Sequence, residues 1–490
     1  MARAMAPRIR RLVSRCLVLA AAAAAARTPL GAAEDPPLAK LERPPSKVSF
    51  FRQVRPIFQA ECQGCHQPAK AGGKFVITDY SELQKGGKSQ SETPILVAGK
   101  PDESLLFQAI TPQEGKPPEM PKRSDPLSKE RVELIRRWIL DGASDDTPMA
   151  VKSLISMDAP PVYESPPVVT AVDHSPDGQF LAVSGYHEVL IHKADGTGLV
   201  ARLVGLSERI ESVSFSPDGK LLAVAGGSPG RMGEVQVWEL DGKKLALSQP
   251  FTYDTIYGVS WSHDGKLVGF GCADNTLRAI EASTGKQVLF QGAHNDWVLD
   301  TVFSKDSSHL VSVSRDRSMK LIQVATQQFI DNITSITPGA LKGGLMSVDR
   351  HPSKDELLAG GADGIPKIFR MHREKKRVIG DDFNLIRQFE PLPGRIFAVE
   401  FSRDGERIAV GASADGQGEV RVYQAADGKR LGSFKPASPI YTVSFGPDGK
   451  TVAAGGFDGF VRIIDAEQGT VALEFMPAPI AGGSKFPRRF

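Results

Sequence analysis

A short turn recurs along this 490-residue chain, and its spacing restricts the possible folds more than any other feature. Ser175-Pro176-Asp177-Gly178 reappears as Ser216-Pro217-Asp218-Gly219, Ser262-His263-Asp264-Gly265, Ser304-Lys305-Asp306-Ser307, Ser402-Arg403-Asp404-Gly405 and Gly446-Pro447-Asp448-Gly449, with a degenerate copy at Pro352-Ser353-Lys354. Successive copies lie 41, 46, 42, 47, 51 and 44 residues apart, so one supersecondary unit is repeated seven times. Between the turns run short β-rich stretches, and the seventh unit reads as four strands at 441–445, 451–455, 460–465 and 470–475. A lone four-stranded sheet leaves its faces half exposed, whereas seven set radially bury those faces against one another. The pattern over 167–478 therefore predicts an all-β, seven-bladed propeller, with 479–490 as a short tail.

The units resemble WD40 repeats. Gly292-Ala293-His294-Asn295-Asp296-Trp297-Val298 is similar to that family's Gly-His opening, and Trp238-Glu239 and Ile464-Asp465 stand where its Trp-Asp pair falls. In the fourth repeat the resemblance places His294, Ser314 and Asp316 in most of the family's hydrogen-bonded tetrad, with Ile322 replacing its tryptophan. It implies a propeller used for protein docking, but many functions share that architecture and none is named by it. Other periodic residues have structural readings. His174, His263 and His351 sit beside the repeat turns, Asp274, Asp316, Asp363 and Asp458 recur at a later turn as turn formers, and Cys272 falls in a strand as apolar filler.

Residues 46–143 have a different texture and read as a small, mostly helical domain. Ser46 is placed to cap a helix through Phe50, Val54, Ile57 and Phe58 that delivers the chain to Cys62. A second helix begins near Pro101, with Asp102 and Glu103 complementing its dipole. A third starts at Ser128, carries the stripe Val132, Leu134, Ile135, Trp138 and Ile139, and stops at Gly142. Residues 144–166 read as a linker.

The chemistry lies in Cys62-Gln63-Gly64-Cys65-His66, the attachment pattern of c-type haem. Two thiols about one helical turn apart reach the two vinyl groups on one porphyrin edge, and the adjacent imidazole becomes the proximal iron ligand. A redox dithiol is expected beside a βαβ pattern, which is missing here, and structural zinc needs a second ligand pair. His66 is the sole histidine before His174, so two-histidine ligation within this domain is excluded. Met120, Met149, Met157, a lysine or an open position remain for the distal side; Met120 is favoured because its place in Pro117-Pro118-Glu119-Met120-Pro121 suits apolar filler poorly.

Over about 50–143 the chain resembles the planctomycete-type cytochrome c domain. The similarity rests on Cys62 to His66, Ala71-Gly72-Gly73-Lys74-Phe75, the stretch from Val97 to Leu106, Met120-Pro121, and Trp138-Ile139-Leu140-Asp141-Gly142-Ala143. The resemblance implies one covalent haem c on Cys62 and Cys65, axial roles for His66 and Met120, and electron transfer.

The N-terminus bears on compartment. Arg3, Arg8, Arg10, Arg11 and Arg15 precede the apolar run 17–26, and small residues follow to Ala33, the pattern of a signal peptide over 1–33 cleaved after Ala26 or Ala33. The apolar run is about half a membrane span, so no transmembrane segment is expected after cleavage. Residues 1–33 hold six of the 60 basic side chains and no acid, leaving 54 basic against 57 acidic. That balance argues against nucleic acid as a partner. The mature cysteines are then Cys62, Cys65 and Cys272, too few and too odd for a disulfide framework.

These features point to a periplasmic or otherwise exported cytochrome that passes electrons between unknown redox proteins, with the propeller as docking module and no catalytic residue of its own. Two other readings are weighed. One is a haem oxidoreductase with a second cofactor in the propeller; the other is a binding scaffold with haem as tether. No second CxxCH and no histidine cluster supports the former.

Overall fold

The repeated turn folds alike in its intact copies. The serine hydroxyl donates to the aspartate two residues on, at 2.6 Å for Ser175 and Asp177 and 2.7 Å for Ser216 and Asp218, and accepts the amide five residues on, that of Phe180 at 2.9 Å. Gly178 closes the turn at φ +73, a conformation that favours glycine. The serine hydrogen bond holds Asp177, Asp218 and Asp264 below the usual carboxylate range. In the degenerate copy His351 occupies the serine position, and its Nδ1 accepts the Ser353 amide at 3.2 Å.

This computed structural model describes residues 47–481, apart from 68–69, 79, 87–93, 114, 123–124, 148–154, 336–341 and 379–381. The expected signal peptide and most of the expected tail lie outside the described residues. Each turn joins the first two strands of a four-stranded meander. The strands of five units form separate sheets within 256–291, 298–332, 345–388, 395–434 and 440–475. The seventh unit consists of Ile440–Phe445, Thr451–Gly456, Val461–Asp465 and Val471–Phe475, within one residue of the sequence reading.

The first two units depart from the expected single closed ring of seven separate blades. They share one seven-stranded sheet, because the 17-residue strand Leu199–Phe215 ends unit one and begins unit two without a break. Arg209 pairs with Tyr186 on one side and with Gly227 on the other. The connection stays extended where other units turn, so the sheet is continuous.

The apolar core lies between successive sheets. Leu181, Val183 and Leu190 of unit one meet Val461 and Ile463 of unit seven across Val169. Polar side chains on the first strand of one unit also accept main-chain amides of the next, at two heights that units five and seven both use. Two residues before the turn serine, Asp173 accepts from Phe215 at 2.7 Å, Glu400 from Phe445 at 2.7 Å and Ser444 from His174 at 3.1 Å. Four residues before it, Ser212 accepts from Val259 at 3.1 Å and Asp300 from Val348 at 2.9 Å. Asp349 of unit five accepts from Phe401 at 2.7 Å.

Within the segment read as a linker, Tyr163 is buried at the seam between the first and last units, donates to Glu188 at 2.7 Å, and pairs with Ile480. The repeat-turn histidines are not equivalent. His174 is buried just before its serine, His263 is exposed just after, and His351 replaces it. Asp274, Asp316, Asp363 and Asp458 each accept the amide two residues on, as turn formers do. Cys272 is fully buried, and burial pushes its thiol up to about 12.

In the N-terminal domain Ser49 caps the first helical segment by accepting the Arg52 amide; Ser46, suggested from sequence, lies outside the described residues. A π turn, Phe50–Val54, leads into α1 (Arg55–Glu61). Then come α2 (Tyr80–Lys85), α3 (Leu105–Ile110) after a 3-10 turn at Pro101–Glu103, and α4 (Lys129–Leu140), capped by Ser128 and followed by Gly142 at φ +95. Trp138 on α4 is the centre of packing. It is fully buried, stacks on Phe50 at 5.3 Å, meets Phe58 edge-on, and donates its indole N–H to the Ser144 carbonyl at 3.1 Å. Asp146 ties the two ends of the domain together by accepting from Ser49 and from the Phe51 amide.

Candidate functional site

The end of α1 sets the attachment motif. The Cys62 amide still bonds to the Phe58 carbonyl, and the amides of Cys65 and His66 both return to the Cys62 carbonyl at 3.1 Å. The motif is therefore one tight turn continuing the helix, which carries both sulfurs on a single loop. His66–Gln67 then pairs antiparallel with Lys70–Ala71, and the Ile77 amide bonds to the His66 carbonyl at 2.9 Å. The imidazole packs edge-on against Phe75, with ring centres 5.2 Å apart. A Cβ at Gly72 would come within 3.0 Å of the Cys65 carbonyl and 3.5 Å of the His66 ring, so a glycine there lets the loop close over the imidazole.

Neither cysteine of the motif is in a disulfide; Cys62 is half-buried and Cys65 exposed. Burial pushes the Cys62 thiol up to about 12, with Glu61 and Cys65 adding to the rise. That opposes the thiolate which a redox dithiol or a zinc site requires. Among the described residues no group of three or more His, Cys, Asp or Glu side chains could hold a metal ion.

Burial also lowers the His66 pKa, the Phe75 and Gly72 carbonyls opposing and Lys122 adding, which favours the neutral imidazole that ligates iron. Its Nδ1 is buried without a well-aligned hydrogen bond. Two unpaired thiols on one turn and a glycine cradle beside the adjacent imidazole fit haem c. Cys62 and Cys65 would hold it covalently, and His66 would ligate its iron.

Of the candidate distal ligands, Met120 is half-buried and packs against the same apolar cluster as Cys62, its amide bonded to the Ala109 carbonyl of α3 at 2.8 Å. Met157 is engaged elsewhere, its sulfur accepting the Val204 amide at 3.2 Å on the β units. Met149 lies outside the described residues.

In the fourth repeat the expected tetrad is partly corrected. His294 bonds to Asp316 at 3.0 Å through Nδ1, but its Nε2 meets Ser312 at 2.8 Å; Ser314 donates instead to the Asp296 carbonyl. Ser312 lies deeper along the strand, opposite the imidazole. Sequence reasoning also missed Gln67 and Ser248, which bond at 2.8 Å across 181 positions of chain; no local pattern signals such a pair.

Residues 62–124 match the family described as Planctomycete cytochrome C, and residues 285–323 and 428–465 match the WD domain, G-beta repeat family. Among curated proteins the chain is similar to periodic tryptophan protein 2 of Arabidopsis thaliana, 24% identical over 243 residues, 49% of this chain and 25% of that protein. It is also similar to eukaryotic translation initiation factor 3 subunit I of Kluyveromyces lactis, 23% identical over 209 residues, 42% of this chain and 47% of that protein. The chain thus spans a quarter to about half the length of these relatives.

Proposed function

Because the chain joins a planctomycete-type cytochrome c domain to WD40 repeats, we propose that it is an exported electron carrier with one covalent haem c, docked to protein partners through its repeat array. The observation that carries this reading is the single turn on which unpaired Cys62, unpaired Cys65 and a half-buried, neutral-leaning His66 stand together. Cys62 and Cys65 would hold the haem through thioether bonds, and His66 and Met120 would hold its iron through an imidazole nitrogen and a thioether sulfur. Haem so held would supply one-electron chemistry, and a His/Met pair would raise its potential. Export rests on the basic and apolar pattern of 1–33, and docking on the resemblance of the repeats to WD40 units. Among the described residues no helix is long and apolar enough to cross a membrane.

The test is a reduced-minus-oxidised absorption spectrum of the protein coexpressed with c-haem maturation machinery, beside Met120→Ala. A low-spin c-type spectrum whose thioether-to-iron band disappears in the variant is expected. Absence of covalent haem defeats the reading. A high-spin spectrum that shifts with added small ligands defeats the Met120 assignment and moves the function toward catalysis or sensing.

A further inference from the structure

Gly64, between the two cysteines, is buried against the β units. A Cβ built on it would run into the Ser248 carbonyl oxygen on the strand Lys244–Thr252. Three residues on, Gln67 is 1% exposed and donates from Nε2 to Ser248 Oγ at 2.8 Å. Ser248 Oγ in turn donates to Glu234, which has no exposed surface and also accepts from Ser207 at 2.7 Å and Gln236 at 2.9 Å. Gln236 accepts the Trp238 indole N–H at 2.8 Å. At the rim, Arg131 of α4 reaches both Glu61 and the hydroxyl of Tyr253, the latter at 3.1 Å.

We propose that the second β unit is a built-in wall of the haem-binding loop, with Glu234 and Ser248 as positioning residues that act on the loop through Gln67. The direction of the relay follows from hydrogen-bond inventory. The Gln67 amide can only donate to Ser248 Oγ, which leaves the single hydroxyl proton of Ser248 for Glu234. Its lone pairs then take the Gln67 amide N–H, which fixes that side chain and the backbone next to His66. A buried carboxylate is costly unless donors converge on it, and three do so here. Gly64 permits the approach, since any side chain would push the loop off the strand. Gly64 between the cysteines and Gln67 just after His66 thus serve the contact with the β units. The inference deepens the haem reading above and rests on it for its redox arm alone.

The experiment uses the full chain carrying haem, with Gln67→Met, Ser248→Ala and the double variant. Hydrogen exchange of amides 62–67 is expected to rise about tenfold in either single variant, the effect of losing one buried hydrogen bond, and no further in the double. The midpoint potential should move in the same direction in both singles and by no more in the double. Gln67→Met leaves the β unit untouched, so a collapsed sheet cannot account for its effect. Unchanged exchange and potential in both singles, or full additivity in the double, overturns the proposal. Failure of haem to attach defeats the earlier reading, while the exchange measurement still decides this one.

Discussion

Replacing Asp173 by Asn should change how stability depends on pH, with a sign opposite to that of an ordinary salt-bridged carboxylate. Burial pushes the Asp173 pKa from 3.8 up to about 7 against the Phe215 amide and the Arg403 charge, and Asp349 adds to the rise. Glu400, half-buried and likewise raised, feels the Asp173 carboxylate from its own strand. The folded protein therefore holds this proton more tightly than the unfolded chain. The stability it contributes is complete below about pH 4 and is lost as pH rises through about 7. A rise of about three units sets a ceiling of about 4 kcal/mol at 1.36 kcal/mol per unit. The side chain keeps some contact with solvent, so screening reduces this to about 1–2 kcal/mol, or a few degrees in Tm. Asn keeps an oxygen to accept the Phe215 amide, so its own cost is constant across the range. The assay is thermal unfolding of both proteins by circular dichroism at pH 5, 6, 7 and 8. His174, with its pKa lowered to about 4, is shared and cancels in the difference, whereas Glu400 is relieved of the Asp173 charge and moves the variant in the same direction. The Tm of the variant should gain on the wild type by a few degrees between pH 5 and 8. A constant gap, or one that moves the other way, refutes the reasoning.

Trp138→Ala should cost the N-terminal domain about 3–5 kcal/mol by opening a cavity among Phe50, Phe58 and Tyr80, read as loss of near-ultraviolet circular dichroism and earlier urea unfolding. Ser312→Ala strands the buried His294 Nε2 and should cost about 1–3 kcal/mol in denaturant unfolding, more than Ser314→Ala, whose partner is a main-chain carbonyl. Ser216→Ala removes a donor to Asp218 and the acceptor for the Leu221 amide, so a loss of about 1–2 kcal/mol is expected in the same assay.

The repeat was legible because its turn uses a side chain to do what backbone alone cannot. Ser, Asp and Gly each answer one geometric demand, so six copies announced themselves through the residues that make them and their spacing located the seventh. The turn from Cys62 to His66 was legible for a similar reason, since both thiols and the imidazole stand on one helical turn. The unbroken strand 199–215 was not, because Gly205 and Ser207 look like turn residues yet stay extended. Nor was the choice of Ser312 over Ser314, which depends on depth along a strand rather than on residue type. The contact of Gly64 and Gln67 with Ser248 joins distant segments through ordinary polar residues, and only the folded arrangement brings them together.

The amides passed from each sheet to its predecessor bear on how such an array can lengthen or shorten. Units one and six present an acceptor at the level nearer the turn, units two and four use the farther one, and units five and seven use both. The near acceptor always takes the amide just before the next turn and the far one the amide two residues earlier, so both levels share one register. A unit transplanted between joints would meet its neighbour in step and exchange one side-chain acceptor for another two residues along. A duplication or deletion of a whole unit therefore leaves the register on both flanks intact, which lets the number of sheets change without resetting how they pack.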